Sequence, residues 1–281
     1  DKNLTIDLGG KTLTTLPVTV SGTAVVTVKN GKIVNKGTTN TIFNVNDSAE
    51  LTIEGVDIES VVAVVKNASN GGSRTNGRSV INYTSKGALN VIDSTIIGKM
   101  NLSKADDFTG KYGVECGDVI AASDSSKSGG KIVIENSTIK GVDGISEGAF
   151  VDFSTTGCLQ ATAGSAVYLC GNVAVEISGS DIYGGTSTYY NAEPAVDVTN
   201  SFSGTLEVVD STVVGGGSVP GTPSYGYGKP AIYINQSTKC AGVKVSDSTL
   251  KGGDGGTSWN GNGVEINKDI PFEIKNTTVA A

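Results

Sequence analysis

The sequence has no histidine among its 281 residues, and that absence removes more chemistry than any other feature. A Ser-His-Asp or Cys-His nucleophile cannot be assembled, because no imidazole is there to take the proton. The histidine-containing zinc patterns go with it, and Cys116, Cys158, Cys170 and Cys240 show no CxxC spacing to replace them. Cys158 and Cys170 are near enough in sequence to form a disulfide, and free buried thiols fit the same spacing equally well. Asp106-Asp107 is the one pair of adjacent aspartates, but "KADDFTG" reads as a solvated turn. Proton abstraction beside a uronate carboxyl group would need acids to hold Ca²⁺ and an Arg or Lys base. The only arginines, Arg74 and Arg78, lie in "NGGSRTNGRS" with no acid nearby, and the lysines are scattered singly. No catalytic set emerges, so the expectation is a protein without enzymatic activity.

A different chemistry is better supplied. Tyr189, Tyr190, Tyr225, Tyr227 and Trp259 stand in "GGTSTYYNAEP", "GGGSVPGTPSYGYGKP" and "GGDGGTSWNGNG", surrounded by Gly, Ser, Thr and Asn. Aromatic faces beside amides and hydroxyls suit sugar rings, which present apolar C–H faces inside a rim of hydroxyls. Asn260 and Asn262 supply amides next to Trp259. The same rings could equally fold down as cover for a sheet, and the sequence leaves both readings open. The net charge of −7 and pI of 4.7 argue against gripping nucleic-acid phosphates or anionic lipid, which requires clustered cations. No apolar run reaches the roughly 18 residues of a membrane span. The expected partner is a glycan or another cell-surface molecule.

The elements that must position these residues are written in a repeat. Ten-residue phrases recur at 26–35 (VTVKNGKIVN), 51–60, 89–98 (LNVIDSTIIG), 132–141, 175–184, 206–215 (LEVVDSTVVG), 243–252 (VKVSDSTLKG) and 272–281, with an imperfect copy starting at Leu4 and spacings of 22 to 43 residues. Positions one and three are apolar with mostly polar residues between, the period-2 pattern of a strand burying one face. Position five is Asn, Asp or Gly in all eight copies, residue types that turn a chain by bonding their own backbone or by tolerating a left-handed conformation. Position eight is apolar again, returning to the same core. A second strand precedes most copies: 42–45, 81–83, 166–169, 195–198, 231–234 and 263–266. No such coil buries its inner face alone, and stacking the coils in register does so. A β-sandwich or propeller fits less well, since the shortest periods hold only two or three strands. The fold expected is all-β, a right-handed single-stranded parallel β-helix of about eight or nine coils forming one domain over 1–281, as a processed chain or a fragment of a longer surface protein.

The pattern V-x-V-x-[ND]-S-x-I-x-G, with the opening "DLGGKTL", resembles the pectin-lyase-like β-helices of bacterial or archaeal surface proteins, adhesins and autotransporter passengers, and of polysaccharide lyases and hydrolases. The resemblance covers nearly the whole chain and implies an extracellular or cell-surface scaffold; it says little about function. Polygalacturonase-type relatives carry N-T-D, D-D, G-H-G and R-I-K sets, of which only a lone D-D is present here. Length variation falls after position ten, so the loops 61–80, 99–113, 142–166, 185–194, 216–230 and 253–262 should gather on one face, holding nine of the sixteen aromatics. Asp210 and Asp247 should stand on adjacent rungs, where a Ca²⁺ ion is the one cofactor they could share; bonding to backbone amides at the corner is the structural expectation. The leading reading is a non-catalytic, adhesin-like binder of carbohydrate or a surface partner. A polysaccharide-processing enzyme or phage tailspike with an atypical site, and a filament or surface-layer subunit joined end to end, are the alternatives.

Overall fold

Alternating apolar positions make strands and Asn, Asp or Gly corners end them, and the computed structural model shows both at the columns read from the sequence. It describes residues 2–35, 41–63, 79–101, 113–115, 117–124, 128–143, 160–187, 192–218, 227–236, 238–256 and 259–281. Among these there is no helix. The strands form a 16-stranded sheet, an 8-stranded sheet and a 2-stranded pair. The stacking is parallel and in register: Leu4 pairs with Val26, Val26 with Leu51, Leu51 with Leu89, Leu89 with Ile132, and so on through Val175, Leu206, Val243 and Phe272. This is the register of a parallel β-solenoid, with rungs about 4.8 Å apart.

The large sheet bends at position five. All eight residues there have positive φ: Asn30, Gly55, Asp93, Asn136, Gly179, Asp210, Asp247 and Asn276, between 47° and 61°. Asn, Asp and Gly are the types that adopt this left-handed conformation at least cost, so the column is a backbone requirement. The expected bonding of Asp210 and Asp247 carboxylates to backbone amides is not what holds the corner. The next position does that work. Ser94, Ser137, Ser180, Ser211 and Ser248 are buried, and each accepts a hydrogen bond from a backbone N–H one coil earlier at 3.0–3.1 Å. Each also donates to the carbonyl two residues before it at 2.6–2.7 Å. Thr277 continues the ladder under Ser248 at 3.3 Å.

Positions one, three and eight point inward and fill one continuous core, where Leu51, Ile53, Ile58, Leu206, Val208 and Val213 are buried. The 8-stranded sheet closes this core with the six anticipated strands plus Val18–Val20 and Ile120–Ala122; the second reads Ile-Ala-Ala, too short and small to signal itself. Tyr83 is buried where the stack is irregular. Its register shifts between Ser128 and Lys131, and the Tyr83 hydroxyl fills the gap, donating to the Gly87 carbonyl at 2.5 Å and accepting from Lys131 N–H at 3.0 Å.

Two loop assignments are corrected. Glu50–Ala63 and Thr95–Asn101 keep pairing as far as Ala63 with Asn101, so the chain leaves the scaffold later there than position ten. Gly113–Glu115 and Gln160–Thr162 form the 2-stranded parallel pair at the ends of stretches read as loops, because the stacking that builds the coils extends into the longest insertions.

Candidate functional site

Position ten is glycine in most copies because two backbones meet there. A Cβ at Gly184 would collide with the Glu193 carbonyl oxygen, at Gly215 with that of Lys229, and at Gly252 with that of Gly261. Each contact lies where an insertion leaves the coil and returns, so the insertion is pinched at its base. The pinch points form one hydrogen-bonded file. Gly164 N–H bonds the Val142 carbonyl, Gly185 that of Gly164, Glu193 that of Gly185, Gly216 that of Glu193, Lys229 that of Gly216, Gly253 that of Lys229 and Gly261 that of Gly253, at 2.8–3.2 Å. Outgoing and returning limbs alternate along it. Asp143 adds a side-chain latch: one oxygen takes Lys140 Nζ at 2.7 Å, and the other accepts from the Thr186 N–H and hydroxyl at 2.9 and 2.8 Å.

Two of the predicted aromatics rise from this base. Gly228 N–H donates to the Trp259 carbonyl at 2.7 Å, and Ala231 N–H to that of Asn262 at 3.2 Å, which sets the return limbs side by side. Trp259 is 73% and Tyr227 46% exposed. Neither ring is buried as sheet cover, the reading the sequence left open. Asn262 is exposed beside them. Asn260 is partly committed, since its Oδ1 accepts from Gly255 N–H at 3.0 Å and ties the outgoing limb to the returning one. Tyr189, Tyr190 and Tyr225 lie outside the described residues, as do Asp106, Asp107, Arg74 and Arg78. No family model matches the chain, and no curated protein matches it.

The remaining candidates sit elsewhere. Asp210 and Asp247 stand on adjacent rungs at the corner, separated from the aromatics by the limb Thr212–Val214 and its neighbours. Both are exposed, and Asp247 Oδ1 accepts from Asn276 Nδ2 at 3.1 Å. Among the described residues no group of three Asp, Glu, Cys or His converges on a metal position. Asp7 is held below the usual carboxylate range by the Gly9 N–H and the Asn30 side-chain amide. Cys170 and Cys240 are free and buried, so Cys170 does not pair with Cys158. Cys240 lies against the Gly204 and Gly242 carbonyls, and burial pushes its thiol up. Cys116 and Cys158 are outside the described residues.

A shallow groove of about 530 Å³ crosses the outer face of the first limb, lined by Glu176, Glu207, Lys244, Phe272 and Glu273 among others. Glu176 is paired with Lys131 at 2.8 Å, and Lys244 stands in register between Glu207 and Glu273. Glu176 and Glu207 are neighbours in register, so three of its four charged groups are acids, and it lies on a different limb from the aromatic loops. The sequence reading missed it because these are the unremarkable outward positions of four strands.

Proposed function

We propose that this chain is a non-catalytic carbohydrate-binding scaffold, a right-handed parallel β-helix of the pectin-lyase-like type with eight or nine coils, exposed outside the cell or on its surface. The observation that carries the reading is the pair Tyr227 and Trp259, two exposed rings on neighbouring limbs whose backbones are bonded to each other and to the loop base. An exposed aromatic costs free energy to leave in water and gains it back against an apolar C–H face. Holding two on a fixed base removes part of the ordering cost of binding. The missing histidine and the acidic net charge of −7 favour a binder over an enzyme and a neutral ligand over a nucleic acid.

Trp259 is the only tryptophan, so emission excited at the red edge of the band, where tyrosine does not absorb, reports on this site alone. Titrating the protein with a panel of neutral glycans should quench or blue-shift that emission, while reducing-end and unsaturated-product assays on the same glycans stay flat. Turnover of any of them would overturn the non-catalytic reading, and an unresponsive Trp259 across the panel would overturn the carbohydrate reading.

A further inference from the structure

The two rings are placed by the stack, and that restricts the shape of what they bind. Tyr227 immediately precedes Gly228, whose N–H donates to the Trp259 carbonyl, so the two aromatics rise from adjacent rungs, about 4.8 Å apart along the stack at their backbones. Lys229, Gly253 and Gly261 are tied below them by successive hydrogen bonds of 2.9 and 2.8 Å. The limbs therefore keep this separation when a ligand arrives. The file of pinched bases runs on through Gly216, Glu193 and Gly185, so the limbs of three successive coils are aligned on the same line. A ligand that meets both rings lies along the stack.

We infer that the ligand is a neutral, linear, β-1,4-linked hexose chain bound in its interior with its long axis along the solenoid, an inference that rests on the carbohydrate reading above. Equatorial β-1,4 linkages give an extended ribbon whose rings advance by about one rung and expose apolar C–H faces, so successive rings can follow a straight row. An α-1,4 chain coils away from such a row. Neutrality follows from the groups at hand among the described residues: amides, hydroxyls and single charges of both signs, Lys229, Lys251 and Asp254, without the paired cations that would hold a row of uronate carboxylates.

The test uses the whole chain and Trp259 fluorescence against β-1,4-glucose oligomers of one to six rings, with α-1,4-glucose oligomers and oligogalacturonate beside them. Affinity for the β-1,4 series should rise at least about tenfold between one and four rings and then level off. The α-1,4 and uronate series should bind at least about tenfold more weakly at equal length. Tyr227→Ala should remove most of the gain with length, and Tyr227→Phe, which keeps the ring, should restore it. Equal affinity for one ring and six, or for the α-1,4 series, would overturn the axial inference and leave carbohydrate binding standing. Silence of Trp259 toward every sugar would overturn both.

Discussion

Removing the Ser211 hydroxyl should cost more stability than the loss of one oxygen atom suggests, and removing the Ser165 hydroxyl should cost none. Ser211 Oγ accepts from the Ser180 N–H at 3.1 Å and donates to the Val209 carbonyl at 2.7 Å. In Ser211→Ala the Val209 carbonyl still receives the Gly179 N–H at 3.1 Å, but the Ser180 N–H is left buried without an acceptor. That orphaned donor is worth about 1–3 kcal/mol. Ser165 is fully buried and its hydroxyl has no partner among the described residues, so Ser165→Ala removes a desolvated polar atom that gives nothing back. It should lie between no change and about 2 kcal/mol of stabilisation. Urea titration followed by circular dichroism reads both as shifts in midpoint at constant slope, and amide exchange at Ser180 localises the first. If Ser165→Ala loses as much as Ser211→Ala, or Ser211→Ala stays within about 0.5 kcal/mol of the parent, the serine ladder does not hold the corner as argued.

Other outcomes follow from single contacts. Burial pushes the Tyr83 hydroxyl up to about 12, opposed by the bond from Lys131 N–H and aided by Glu50. A raised folded-state value means stability is intact below pH 10 and lost as pH climbs toward 12, about 1.4 kcal/mol per unit; Tyr83→Phe should abolish this alkaline loss in a pH series of urea midpoints. Gly215→Ala should destabilise by about 1–3 kcal/mol, because its Cβ meets the Lys229 carbonyl. Gly242→Ala has its nearest neighbour at 3.6 Å and should gain about 0.4–1 kcal/mol, so the two melting curves should move in opposite directions. Trp259→Ala should leave the melting curve within about 0.5 kcal/mol of the parent while abolishing glycan binding measured by affinity electrophoresis.

The scaffold was legible because solenoid stacking writes one physical requirement many times. Leu206, Val208 and Val213 repeat in kind on every rung, so apolar spacing alone located the strands and their register. Asp210 and its column were readable as corners for the same reason, although left-handed backbone and the neighbouring serine hydroxyl replaced the carboxylate bonding expected. The serine column was visible in the motif; what it lacked was a reason, since Ser is common in turns and its partner lies a whole coil away in sequence. Ile120–Ala122 was missed because Ile-Ala-Ala has no alternation of apolar and polar residues, whereas Val-Thr-Val at Val18–Val20 carries that alternation and went unread. Trp259 and Tyr227 stood out by residue type, and both rings are exposed; Asn260, read from the sequence as an amide for a ligand, has its Oδ1 engaged by the Gly255 N–H. Nothing local in the sequence marks that bond.

The file of pinched bases has an electrical consequence. From Gly164 to Gly261 each residue in the file donates toward the lower-numbered residue and accepts from the higher-numbered one, while the residues beside it, Gly184, Gly215, Gly228 and Gly252, donate the other way, to Val214, Lys251, Trp259 and Ala280. Neighbouring peptide dipoles therefore oppose one another and nearly cancel, as they do in a sheet. Any preference of the loop face for a ligand's charge comes from its side chains.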